Sequence, residues 1–127
     1  MQKILIVDDD PLIRLLLEEI LTDFNAKGIQ ISTADNGLTA LELIKREEPD
    51  IIFLDVMLPQ MDGFEVCSII KNDLSLKHLY IIMLTAKGQE IDKKKAHEYG
   101  ADYYITKPFT IQDVIRKVSE VLGASSQ

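Results

Sequence analysis

An α/β fold, with one five-stranded parallel sheet doubly wound by helices on both faces, is the architecture this sequence predicts. Three observations carry the prediction. Short stretches rich in β-branched and aliphatic residues recur at about residues 3–7, 29–33, 51–54, 80–84 and 103–106. Helix-like periodicity fills each interval between them and the stretch after the last. Two of the five, 51–54 and 81–84, are apolar without alternation, as strands covered on both faces are. Strand-helix alternation of this kind requires right-handed crossovers and hence a parallel sheet.

In chain order, the first strand runs into Asp8-Asp9. A helix follows over residues 10–24, with Ile13, Leu17, Ile20, Leu21 and Phe24 on one face. Asp10 is placed to cap it and Pro11 stands in its first turn, where a missing N–H costs nothing. After the second strand, a helix over 37–46 leads to the third, Ile51-Ile52-Phe53-Leu54, which closes on Asp55 and a loop, Val56-Met57-Leu58-Pro59-Gln60-Met61-Asp62-Gly63. A helix over 64–72 carries Phe64, Val66, Ile69 and Ile70, with Cys67 among them. The fourth strand ends in Thr85, a polar helix spans 89–99, and the fifth strand ends in Lys107. The last helix, 110–122, has Ile111, Val114, Ile115, Val118 and Leu122 on one stripe and Thr110 as its cap. Residues 1–122 read as one domain and 123–127 as a tail or the start of a linker.

At 127 residues the chain is long enough for a single domain to bury a real core, and 46% apolar with 28% charged residues excludes disorder. No apolar run could span a bilayer and the N-terminus lacks a signal-type core, so the expectation is a soluble protein of the cytoplasm with no membrane partner. A net charge of −7 argues against nucleic-acid binding by this domain and favours cations and basic surfaces. The single cysteine, Cys67, cannot form an internal disulfide and reads as a small buried hydrophobe. His78 and His97 have no acid or cysteine at catalytic spacing and read as surface residues. Lys93-Lys94-Lys95 reads as a solvated helix face, with a docking patch as the alternative.

In an open doubly wound sheet, sites form beyond the carboxyl ends of the strands, where strand order reverses. Asp8, Asp9, Asp55, Thr85 and Lys107 all close strands at that edge. Three carboxylates gathered there repel one another unless a cation compensates. Oxygen-only ligands match Mg²⁺, and no histidine or cysteine is placed to recruit zinc. With a metal and the Lys107 ammonium drawing charge away, a carboxylate could attack a phosphorus centre, and Thr85 adds a hydroxyl donor. Asp55, at a strand-to-loop junction, is the candidate for the reacting residue.

Over its whole length the chain resembles the receiver domain of two-component response regulators. The resemblance rests on Ile4-Leu5-Ile6-Val7-Asp8-Asp9-Asp10, the Leu54-Asp55 to Asp62-Gly63 stretch, Leu84-Thr85-Ala86, and Gly100-Ala101-Asp102-Tyr103-Tyr104-Ile105-Thr106-Lys107-Pro108-Phe109. It implies a flavodoxin-like (βα)₅ domain with strand order 2-1-3-4-5, phosphorylated on Asp55 by a sensor histidine kinase or phosphotransfer protein. It implies further that Asp9, Asp55 and the backbone carbonyl of Met57 bind Mg²⁺ directly and Asp8 through ligand water. Lys107 would pair with the phosphoryl group, Thr85 would turn toward it, and Tyr104 would switch rotamer with Thr85. The peptide before Pro108 is expected to be cis. Output would pass through the surface made by the fourth helix, fifth strand and fifth helix to a partner or effector domain that the sequence does not identify. A phosphorylation-dependent homodimer through that surface stays open, though no exposed apolar patch argues for it.

In the resembling family Met57, two residues beyond Asp55, and Lys87, two beyond Thr85, would flank the pocket mouth and tune the access of water. Asp10, a third acid where two are needed, reads as a helix cap rather than a ligand. The chain therefore reads as a signalling switch with only self-phosphorylation and slow autodephosphorylation chemistry, not as an enzyme. A metal-dependent phosphatase with an aspartyl phosphate intermediate is the rival, but such hydrolases usually place a second acid where Met57 stands. A flavin-binding module fits less well, since three clustered carboxylates repel a phosphate-bearing cofactor.

Overall fold

The computed structural model describes residues 2–74, 76, 78–86 and 98–126, with side chains through Gly123. Each predicted strand forms: β1 (Lys3–Val7), β2 (Gln30–Ala34), β3 (Ile51–Asp55), β4 (Tyr80–Ala86) and β5 (Tyr103–Lys107). All pair in parallel, in the order β2-β1-β3-β4-β5, as expected. The described helices are α1 (Pro11–Ile20), α2 (Thr22–Ala26), α3 (Gly37–Glu47), α4 (Gly63–Ser68) and α5 (Ile111–Ser126). The predicted helix over 89–99 falls largely outside the described residues, and Lys87, Lys93, Lys94, Lys95 and His97 fall outside them entirely. None of the described helices is long and apolar enough to cross a membrane.

Strand alternation sorts the core into two layers. Leu5, Val7, Ile52, Leu54, Ile81 and Met83 face α3 and α4, while Ile4, Ile6, Ile51, Phe53, Ile82 and Leu84 face α1 and α5. Every residue of β3 is buried, which is why its sequence shows no alternation. Cys67 lies in the first layer with its Sγ 3.7 Å from Met83 Sδ, and burial pushes its thiol up to about 12, so it is an inert packing group.

The predicted caps hold. Asp10 accepts from the Leu12 N–H at 2.9 Å with Pro11 following, and Thr110 Oγ1 accepts from the Asp113 N–H at 3.1 Å. Three boundaries differ from expectation. The single helix predicted over 10–24 is broken at Leu21, where the Thr22 hydroxyl donates to the Glu18 carbonyl at 3.1 Å and competes for the helical ladder. The α4 helix widens over Ile69–Asp73, where the Leu74 N–H reaches back five residues to Ile69 O at 2.9 Å. Helix α5 runs past residue 122 to Ser126, because Gly123 does not take the positive φ that would stop it.

Candidate functional site

The strand order reverses between β1 and β3, and the acidic residues straddle that point. Asp8 continues β1 by one rung, its N–H donating to Ala34 O at 3.2 Å, and its carboxylate is fully buried. Its two oxygens are both held: Oδ1 accepts from the Asp10 N–H at 2.9 Å and Oδ2 from Lys107 Nζ at 3.0 Å. Asp55 ends β3, is 4% exposed, and its Oδ1 accepts from the Met57 N–H at 3.1 Å with Lys107 Nζ 3.5 Å away. Asp9 is exposed, and among the described residues its carboxylate has no hydrogen-bond partner. One oxygen from each of Asp8, Asp9 and Asp55 lies within 4.8 Å of the others.

The loop after β3 brings α4 against the site. The Gly63 N–H donates to Val56 O at 2.9 Å, and a Cβ at Gly63 would run into the Asp55 carbonyl oxygen, so this approach needs glycine. Asp62 caps α4 by accepting from the Glu65 N–H at 2.9 Å. Met57 stands exposed at the mouth.

Three acids and one lysine leave an excess of negative charge, and the electrostatics register it. Burial, then the neighbouring Asp8 carboxylate, raises the Asp55 carboxyl from 3.8 to about 6, although the Met57 N–H and Lys107 pull it the other way. For Lys107, burial alone would lower the ammonium, but the hydrogen bond to Asp8 and the charge of Asp55 outweigh it and the net direction is up. The cluster offers more acceptor oxygens than donors and only oxygen ligands, with one carboxylate facing solvent. That donor set suits a hard dication that keeps part of its water.

Thr85 is 5% exposed near the end of β4, and its hydroxyl donates to Thr106 Oγ1 at 3.4 Å rather than to any of the acids. Tyr104 is half-buried against the α3 and α4 layer, on the face of the sheet that Thr85 shares by alternation. The Lys107–Pro108 peptide is cis, as expected. Of the predicted site residues, Asp8, Asp9, Asp55 and Lys107 therefore converge directly, Met57 joins through its backbone N–H, and Thr85 and Tyr104 stand one step away. Arg14 was not predicted: its Nη1 donates to the Asp8 backbone carbonyl at 2.7 Å. Its only trace in the sequence is a cation four residues after Asp10, on the helix that leaves the acidic turn.

The response regulator receiver domain family matches residues 4–119 of the chain. A response regulator from Chloroflexus aurantiacus is 36% identical with a TM-score of 0.83, over 96% of this chain and 98% of that one. A CheY-like receiver domain protein from Methanospirillum hungatei is also 36% identical, with a TM-score of 0.81 over 99% and 98% of the two chains. The receiver domain of a sensor histidine kinase from Pseudomonas aeruginosa, 27% identical with a TM-score of 0.81 over 96% and 98%, holds a magnesium ion coordinated in its active-site cleft.

Proposed function

Because the chain belongs to the family of response regulator receiver domains and has their flavodoxin-like fold, we propose that it is a phosphorylation-activated switch whose acceptor is Asp55. The observation that supports this most is the cluster of Asp8, Asp9 and Asp55 bridged by Lys107 at the strand-order reversal. Asp55 Oδ1 is engaged by the Met57 N–H and by Lys107, so Oδ2 is the nucleophile. It attacks the phosphorus of a phosphohistidine on a sensor histidine kinase or phosphotransfer protein; the P–N bond breaks, and the electron pair leaves on the imidazole. With its carboxyl at about 6, Asp55 is mostly ionised at neutral pH and needs no base.

Asp9, Asp55 and the Met57 carbonyl would hold Mg²⁺, with Asp8 acting through a water ligand, and the bound ion supplies charge neutralisation for the transferring oxygens. Lys107 moves from its carboxylate partners to the phosphoryl group. Thr85 gives up Thr106 for a phosphoryl oxygen, Tyr104 follows into the space vacated, and the surface of the expected helix over 89–99, β5 and α5 is biased toward an output partner. Residues 1–122 form this unit, working in the cytoplasm. An exposed Met57, where a hydrolase of this chemistry would carry its acid, keeps the phosphoryl group from rapid turnover.

Acetyl phosphate with Mg²⁺ should add one acid-labile phosphate per chain, detected by intact mass, and Asp55→Asn should take up none. Phosphate on that variant would sink the assignment.

A further inference from the structure

We propose that Arg14 is a positioning residue: by pinning the peptide between Asp8 and Asp9, it aims the Asp9 carboxylate at the divalent cation. The inference rests on the function proposed above. The three acids are held to very different degrees. Asp8 is fixed by the Asp10 N–H and Lys107, and Asp55 by the Met57 N–H and Lys107. Asp9 has no such side-chain anchor among the described residues, and the backbone that carries it begins with the Asp8 carbonyl.

The Arg14 guanidinium reaches from the second turn of α1 to that carbonyl, at 2.7 Å, and no described backbone N–H competes for it. Rotation of the Asp8–Asp9 peptide plane changes ψ of Asp8 and φ of Asp9 together, and the rotamers open to the Asp9 side chain depend on that φ. A half-buried guanidinium anchored on a helix therefore does for Asp9 what Lys107 and the Met57 N–H do for the other two acids. Among the described residues no carboxylate lies within ion-pair distance of Arg14. Beside it lies a recess of about 230 Å³ lined by Thr33, Asp35 and Thr39, and among the described residues the Asp8 carbonyl is the one hydrogen-bond partner of its side chain.

The sign of the effect separates this role from a purely electrostatic one. A cation beside three carboxylates repels a dication, so removing its charge alone would tighten metal binding. Losing an outer contact that orients a ligand weakens it, roughly 10-fold or more. Calorimetric titration of Mg²⁺ into the wild-type chain, Arg14→Met and Arg14→Lys reads that sign, alongside thermal midpoints measured in chelator. We expect roughly 10-fold weaker Mg²⁺ binding by Arg14→Met, a midpoint in chelator lowered only by the few degrees that the loss of one hydrogen bond costs, and recovery of most of the affinity in Arg14→Lys, whose ammonium can still donate to the carbonyl. Equal or tighter binding by Arg14→Met overturns the proposal while leaving the proposed function standing; equally weak binding by Arg14→Lys overturns it too. If the wild-type chain binds no Mg²⁺, the functional reading falls, and this inference with it.

Discussion

The two ends of the sheet hold the same kinds of side chain and use them in opposite ways. At the amino ends of the strands, Asp50 Oδ2 accepts from the Lys3 N–H at 2.9 Å, and Asp102 Oδ2 accepts from the Ile81 N–H at 2.8 Å. Lys71, turned inward by the wide turn after α4, donates to Leu79 O at 2.7 Å and lies 3.5 Å from Asp102. These carboxylates cap strands, and one has its own lysine. At the carboxyl ends three acids converge, two of them paired with Lys107, and the third has no hydrogen-bond partner among the described residues. Buried charge that is matched by donors holds a fold together; charge left in excess is stored repulsion, available to a ligand.

The strongest way to break this contrast is to neutralise one acid at each end. Asp55 has its carboxyl raised from 3.8 to about 6, so its ionised form is disfavoured by folding. That cost is fully present above pH 6 and is relieved as pH falls from about 6 toward 3.8, where the native carboxyl takes up its proton first. Asp55→Asn should therefore stabilise the metal-free chain by about 2 to 3 kcal/mol near neutral pH, an advantage that vanishes near pH 4. Urea unfolding at several pH values in chelator measures it. A variant less stable than wild type at neutral pH would mean that the site holds no stored repulsion.

The opposite sign is expected at the other end. Asp102→Ala leaves the Ile81 N–H without its acceptor and removes the carboxylate 3.5 Å from Lys71, and should cost about 2 kcal/mol. Its Mg²⁺ affinity should stay at the wild-type value. A stable Asp102→Ala chain would erase the distinction between the two ends.

That distinction was only half legible in the sequence. Asp8, Asp55 and Lys107 could be found because an apolar strand stops abruptly at a charged residue, and strand order then dictates that they meet. Asp50 and Asp102 stand at strand starts and look no different in isolation; only the structure shows their oxygens taken up by backbone N–H groups. The break at Leu21 and the wide turn over Ile69–Asp73 were missed for a related reason. Both depend on competition for single backbone carbonyls, by the Thr22 hydroxyl in one case and the Leu74 N–H in the other, and residue periodicity carries no trace of such competition. Arg14 escaped notice because its partner is a main-chain oxygen, which every residue has.

Metal binding sharpens the comparison at a smaller scale. A carboxylate must be ionised to ligate, so Mg²⁺ affinity should be flat above pH 6 and fall about tenfold, or about 1.4 kcal/mol, for each pH unit below it as Asp55 takes up its proton. Calorimetric titrations between pH 5 and pH 8, at about unit spacing, test this. An affinity that holds down to pH 5 would mean that Asp55 is not a ligand or that burial does not raise its carboxyl.

The finest test lies inside the acidic turn itself, where Asp10 adjoins the two site acids yet belongs by its bonding with Asp50 and Asp102. Its side chain accepts from the Leu12 N–H at 2.9 Å and caps α1, and it is absent from the group of oxygens that converge on Asp55. Asp10→Ala should therefore cost about 1 kcal/mol of stability, the usual loss for a helix cap. Removing a negative charge one residue from the site also weakens attraction for a dication, so alanine alone would confound the two effects. Asp10→Ser separates them, since serine keeps a capping oxygen but carries no charge. If Asp10 is a cap, serine restores stability, and both variants bind Mg²⁺ equally, with the slight loss that long-range charge imposes and salt screens. A tenfold loss shared by both and insensitive to salt would make Asp10 a ligand, and the excess of unmatched carboxylates would then number one more than the geometry assigns.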